Sequence, residues 1–123
     1  MFHGVPLIKL NTYIRRDAGE MKHEKVILLV MGFFLVSCLF DHVTTFYGLM
    51  LPTIVEGNPV VLRLIEAGVW HRCEAFIIVS GLLYGFLAVA SKSISTVNFS
   101  TKALMIAGFI RFFAGFQNLT LII

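Results

Sequence analysis

Charged residues are scarce in this chain of 123 residues. Asp, Glu, Lys and Arg make up 14% of it, against about 25% in soluble globular domains. Hydrophobic residues make up 58%. Because a soluble chain needs more charged surface than this, the composition excludes an ordinary soluble globule and predicts an integral membrane protein. The formal net charge of +3 is also too small to indicate nucleic-acid binding.

Cysteine is rare as well, and its positions exclude a disulfide framework. Cys38 and Cys73 lie in or beside different apolar segments, without Cys-x-x-Cys spacing. The letters LVSC ending at Cys38 resemble a lipoprotein processing site. The apolar run continues beyond this cysteine, however, whereas a processed signal gives way to polar chain, so we expect the segment to be retained.

Three apolar runs approach or exceed the length of about 20 residues that crosses a bilayer. They cover residues 26–51, 69–91 and 103–123, and the polar linker SKSISTVNFSTK joins the last two. Residues 1–25 form a basic tail, which we expect on the inner membrane face or against a partner. The predicted fold class is therefore all-α: an integral membrane bundle of three transmembrane helices plus one short interfacial helix.

The short helix is predicted over residues 59–67. Pro52 ends the first span, Asn58 is a favoured N-cap, Pro59 suits the first helical position and Gly68 suits the residue just past a helix end. Nine residues rise about 13 Å, too little to span a bilayer. This helix is therefore expected at the interface.

Basic residues set the expected orientation, because they remain on the cytoplasmic side. Five of the ten lie in the first 25 positions, and Lys92 and Lys102 bring that side to seven; the other side has only Arg63 and Arg72. We predict a multi-pass protein of the cell membrane with a cytoplasmic N-terminus and a C-terminus outside.

Each span has one helical face that combines polar or charged groups with small residues. In the first span this face holds Ser37, Asp41, Thr44 and Gly48. In the second it holds Glu74, Gly81, Gly85 and Ala88, and in the third Ala107, Arg111, Ala114, Gly115 and Asn118. Small residues let helices approach closely in lipid. We therefore assign helix packing to four glycines: Gly48, Gly81, Gly85 and Gly115.

Asp41 and Arg111 are charged residues within apolar runs. A charge that faces lipid at mid-membrane costs about 3 kcal/mol on insertion scales, so we predict that both face inward and pair. Such an ion pair would fix the register of two helices. Two alternatives stay open: proton or ion handling, and contact with a neighbouring subunit.

A second polar cluster is expected at the outer face, formed by Glu56, Asn58, His71 and Glu74. His71 and Glu74 stand at i and i+3, which predicts a solvated helix start with an acid near the positive end of the helix dipole. A metal site needs further ligands at a recognised spacing, and the sequence offers none, so we predict no metal and no cofactor. Haem ligation by His42 and His71 is not expected, because they are expected at different depths.

Two motifs stand in the middle of the chain, Asp-x-x-Thr-Thr and, after a proline break, Glu-x-Asn-Pro. Their residues are Asp41, Thr44, Thr45, Glu56, Asn58 and Pro59. The combination resembles a family of small archaeal and bacterial membrane proteins with three to four helices, a domain of unknown function. The likeness covers about half of the chain, from the first span into the second. The resemblance implies a multi-span helical bundle in which the motif residues form one unit, and it implies no activity.

The sequence shows no nucleophile and base pair, phosphate loop or dinucleotide fingerprint, so we do not expect an enzyme. The leading hypothesis is a non-catalytic accessory subunit of a larger membrane complex, such as an energy-converting oxidoreductase or monooxygenase. Its partners would be other integral-membrane subunits and lipid, with no nucleic acid.

Two other functions stay open. One is a small homo-oligomeric ion or proton channel or transporter that uses Asp41, Glu74 and Arg111. The other is an enzyme with a metal held by His71, Glu74 and Glu56, which would contain stoichiometric metal when pure.

Overall fold

The computed structural model describes residues 7–123, and within residues 7–20 it describes the side-chain surroundings of Lys9, Asn11, Thr12, Arg15 and Gly19 only. The described chain is all-helical, with four helices: α1 (Leu7–Leu49), α2 (Pro59–Glu66), α3 (Trp70–Ala90) and α4 (Ile94–Ile122). Three segments are long and apolar enough to cross a membrane: Met21–Leu49, Trp70–Ala90 and Ile94–Ile122. The predicted fold class is thereby confirmed.

The first span and the predicted basic tail belong to one helix. α1 has 43 residues, which at 1.5 Å per residue is about 64 Å. Residues 7–25 of the tail are therefore helical, whereas residues 1–6 lie outside the described part. α1 ends at Leu49, three residues before Pro52, and a turn follows in which Leu51 N donates to Gly48 O at 3.0 Å.

The short helix α2 begins with the cap that its sequence predicts. The Oδ1 of Asn58 accepts a hydrogen bond from Val60 N at 3.0 Å, and Pro59 occupies the first turn. Gly68 has φ +71°, a left-handed conformation that glycine adopts without strain. The predicted helix was one residue too long, since Ala67 is the C-cap.

The last helix begins earlier than predicted. α4 begins at Ile94, where the Ser93 Oγ accepts a hydrogen bond from Thr96 N at 3.3 Å. The prediction of a linker through Lys102 and of a helix from residue 103 was wrong, because polar residues after a good N-cap carry no helix breaker and simply form the first turns. The second span agrees with α3 to within one residue at each end.

The core is a stripe of α1 side chains covered by the other two long helices. α1 packs most extensively against α4 and less against α3. Spacings of three and four residues place the α1 members on one face. The buried apolar residues of the core are Ile27, Val30, Met31, Phe34 and Cys38 of α1, Ala88 of α3, and Val97 and Leu104 of α4. The polar residues of α1 continue the same face toward its C-terminal end.

Candidate functional site

Three charged side chains meet inside the bundle, one from each long helix. The Nη1 of Arg111 on α4 donates to Asp41 Oδ2 on α1 at 2.9 Å and to Glu74 Oε1 on α3 at 3.1 Å. Asp41 is 8% exposed and Glu74 is 7% exposed. The structure thus brings Asp41 and Arg111 together and adds a second carboxylate, so the three groups carry a formal net charge of −1.

Close contact at glycines positions α4 against α1. A Cβ on Gly115 would lie 3.0 Å from both Cα and N of Asp41, and one on Gly108 would lie 3.4 Å from Phe34 Cα. These two glycines are seven residues apart, so they share a helical face. Arg111 lies between them in sequence, which lets its guanidinium reach Asp41 directly.

The other glycines differ in their roles. Gly81 and Gly85 of α3 receive side chains of α1, since an added Cβ would overlap Phe34 Cε1 at Gly81 and would lie 2.6 Å from Met31 Sδ at Gly85. Gly48, by contrast, would place a Cβ no closer than 3.7 Å to Ile122, an ordinary contact. Gly48 is buried and lies next to Ile122 of α4, so it belongs to the packing interface, but an added Cβ would fit there. Gly108 was missed, although its spacing of seven from Gly115 was the available signal.

Asn118 completes the environment of Asp41. Its Nδ2 donates to Asp41 Oδ1 at 3.2 Å and to Thr45 Oγ1 at 2.8 Å. Both oxygens of Asp41 are therefore hydrogen-bonded, one to Arg111 and the other to Asn118. Thr44 takes no direct part in this network, because its hydroxyl donates back to Phe40 O at 2.8 Å.

Glu74 lies deeper than expected. We predicted a solvated helix start at the outer face, and this was wrong for Glu74, which is buried and bound to Arg111. The Oε2 of Glu74 is buried and has no hydrogen-bond partner among the described residues. Of the predicted outer cluster, Glu56 Oε1 accepts from Asn58 N at 2.8 Å, and both residues line one cavity with Glu74, whereas His71 does not.

The two histidines of this region are in direct contact. His42 Nε2 lies 2.9 Å from His71 Nδ1, and the His42 ring stacks on Trp70 with centroids 4.3 Å apart. The expectation that they lie at different depths was wrong. α3 begins level with His42, seven residues before the end of α1, since His42 stacks on Trp70, the first residue of α3.

The contacts also bear on metal binding. The three ligands of the metal hypothesis have separate partners: His71 binds His42, Glu74 binds Arg111 and Glu56 binds the backbone of Asn58. Among the side chains that the structure describes, no group of three His, Cys, Asp or Glu residues is arranged to hold a metal ion.

A cavity of about 500 Å³ opens beside the charged cluster. Its walls come from α1, α3, α4 and from the connection and α2. The charged and polar lining includes Asp41, Glu74, Arg111, His42, Asn118, Thr45, Glu56 and Asn58. Residues of both sequence motifs therefore line one space, together with the aromatic side chain of Trp70. This arrangement offers hydrogen-bonding and ionic groups to a small ligand.

Comparison with known protein families gives a match over most of the chain. Residues 26–123 match the family described as Domain of unknown function (DUF5658). No curated protein and no solved structure matches the chain.

Proposed function

We propose that this chain, which belongs to the DUF5658 family, is a non-catalytic accessory subunit that packs into a larger complex of the cell membrane. Its N-terminus would be cytoplasmic and its C-terminus outside, as the distribution of basic residues favours. The expected partners are other integral-membrane subunits. In this proposal the charged cluster joins the three spans into one stable unit that the partners recognise.

The observation that carries this proposal is a pair of unsatisfied hydroxyl groups on α3. Ser80 and Tyr84 are both exposed and stand one turn apart, Ser80 in the middle of the helix. Neither hydroxyl makes a hydrogen bond to a side chain or backbone group in the described part of the chain. Unpaired hydroxyls facing hydrocarbon are costly, whereas a neighbouring helix can supply acceptors. A protein partner on this face therefore fits better than lipid.

The amount of uncovered surface supports the same conclusion. The rest of the chain buries only 17% of the most apolar stretch of α3 and 11% of the most apolar stretch of α4. Lipid alone can cover apolar surface, so it is the hydroxyl pair that supports a protein partner on this face.

The test is extraction of the tagged chain from its native membrane in mild detergent, followed by native mass spectrometry. We expect it to co-purify with other membrane subunits, whose identity would show whether an oxidoreductase or monooxygenase is involved. The double variant Ser80→Ala/Tyr84→Phe should recover less of them. Thr120→Val is the matched control, since its hydroxyl is already bonded to Gln117 O at 2.7 Å. A lone 13.8 kDa species, or a homo-oligomer alone, would contradict the proposal.

A second candidate is a homo-oligomeric ion or proton channel or transporter. The observation that favours it is the meeting of Asp41, Glu74 and Arg111 beside a cavity, because ionisable groups inside a membrane commonly mark ion pathways. Purified chain in liposomes should then show ion or proton flux that Asp41→Asn abolishes. Flux without any co-purifying subunit would favour this candidate over the first.

The two sequence motifs are also part of the proposed function. We propose that Asp-x-x-Thr-Thr and Glu-x-Asn-Pro form the functional unit of the family in its membrane-spanning members. Support comes from the shared cavity, which is lined by Asp41, Thr44, Thr45, Glu56 and Asn58.

A further inference from the structure

We propose that the cavity binds a small organic ammonium ion, with the carboxylate of Glu74 as its main partner. This binding function is independent of membership in a larger assembly and of ion conduction. Three features of the cavity carry the inference: its charge, a buried oxygen without a partner, and its size.

The lining of the cavity has more negative than positive groups. The lining contains three carboxylates, those of Asp41, Glu56 and Glu74, and one guanidinium, that of Arg111. The remaining titratable group of the described lining is His42, which leaves this balance unchanged in its neutral form. Because a cleft with an excess of carboxylates attracts positive charge, a cation is favoured there over a neutral molecule or an anion.

Glu74 provides the unoccupied acceptor. Asp41 has both oxygens bonded, to Arg111 and Asn118, whereas Glu74 uses only Oε1. Glu74 is more than nine-tenths buried, and its Oε2 has no hydrogen-bond partner in the described chain. A buried charged oxygen left unpaired is unfavourable, and an ammonium group with its N–H donors satisfies it.

The size of the cavity favours an organic ligand. About 500 Å³ lies within the range of small-molecule sites, and a water molecule occupies only about 30 Å³. The donor set is also unsuited to a metal ion, since the described residues contain no group of three metal-ligating side chains. Trp70 also lies in the wall, where its ring stacks on His42.

Trp70 also provides a local reporter, because it is the single tryptophan of the chain. Benzylammonium chloride would be titrated into the full chain in lipid nanodiscs while the Trp70 emission is recorded. Benzyl alcohol and sodium benzoate are probes of similar shape without the positive charge. We expect a saturable change with benzylammonium only.

Variants then assign the site. Glu74→Gln should weaken benzylammonium binding about tenfold or more, the loss of one hydrogen bond to a charged group. Glu66→Gln is the matched control, because Glu66 is exposed on α2 and does not line the cavity. Glu56→Gln removes a lining charge while its amide oxygen can still accept from Asn58 N. The Glu56→Gln variant should weaken benzylammonium binding severalfold. It tests the site if the Glu74→Gln variant does not fold.

Four outcomes would overturn the proposal. The first three are no saturable change with benzylammonium, an equal change with benzyl alcohol or benzoate, and the same change with sodium or magnesium chloride. The fourth is binding by Glu74→Gln, or by Glu56→Gln if Glu74→Gln does not fold, that equals binding by Glu66→Gln.

Discussion

Arg111 Nη1 lies 3.1 Å from Glu74 Oε1, and this contact joins α4 to α3. The same nitrogen lies 2.9 Å from Asp41 Oδ2 on α1, so one atom connects all three candidate spans. Buried carboxylates that share one cation depend on it, because removing the cation leaves like charges facing each other without compensation. The stability of the bundle should therefore be sensitive to Arg111.

Arg111→Gln should destabilise the protein by about 3 to 5 kcal/mol, since two buried carboxylates lose their partner. The measurement is unfolding of the purified chain in mixed micelles, followed by circular dichroism. Arg63→Gln, which removes an exposed arginine of α2, should change stability little.

A double variant separates charge from packing at this position. Arg111→Gln/Asp41→Asn should recover part of the lost stability, because only one buried carboxylate then remains. Equal stability of the single and double variants would argue that the charge balance is unimportant.

Gly115→Ala should loosen the contact between α4 and α1. The new Cβ would lie 3.0 Å from backbone atoms of Asp41 and 2.6 Å from Phe40 Cδ1, so the helices must separate slightly. Overpacking of this kind costs about 1 to 3 kcal/mol. Gly32→Ala is the control, because nothing lies within 4 Å of its added Cβ, and it should be neutral or stabilising by up to about 1 kcal/mol. Similar behaviour of both variants would contradict the packing described here.

Asn58→Ala should weaken α2 by about 1 kcal/mol, the usual value of a lost N-cap. The affected group is Val60 N, which donates to Asn58 Oδ1 at 3.0 Å. Hydrogen exchange of the α2 amides would report the change as faster exchange, with the rest of the chain unaltered. Asn58→Asp keeps the acceptor and should exchange like the wild type, and equally fast exchange in both variants would rule out the cap as the cause.

The two cysteines should react with maleimide at different rates. Cys38 is 0% exposed in the core, whereas Cys73 is partly exposed near the start of α3. Mass spectrometry should show a single rapid modification in the native protein and two after denaturation in SDS. Cys73→Ser should abolish the rapid one, and rapid labelling of Cys38 in that variant would contradict the core assignment.

Helical periodicity within single spans predicted much of the site. It placed Asp41 and Arg111 on inward faces with small neighbours, and local cap residues predicted α2 almost to the residue. These features depend on the 3.6-residue repeat of the helix and on neighbours in sequence, and both can be read from the amino-acid sequence.

The relative depth of the helices could not be predicted in the same way. It depends on where α3 begins after the connection, and therefore on how residues 50–69 return to the bundle. For this reason Glu74 was expected in solvent and His71 was expected far from His42. The start of α4 was missed for another reason, since polar residues at 94–102 suit a linker and a first helical turn equally well.

The continuity of α1 gives the chain a mechanical property. One uninterrupted helix carries both the basic segment from Leu7 onward and Asp41, so rotation of one end about the helix axis turns the other by the same angle. Any group held by the basic segment therefore has a set angular phase relative to the cavity. A single alanine inserted between Met21 and Val26 would offset that phase by about 100°, whereas seven residues, about two turns, would nearly restore it.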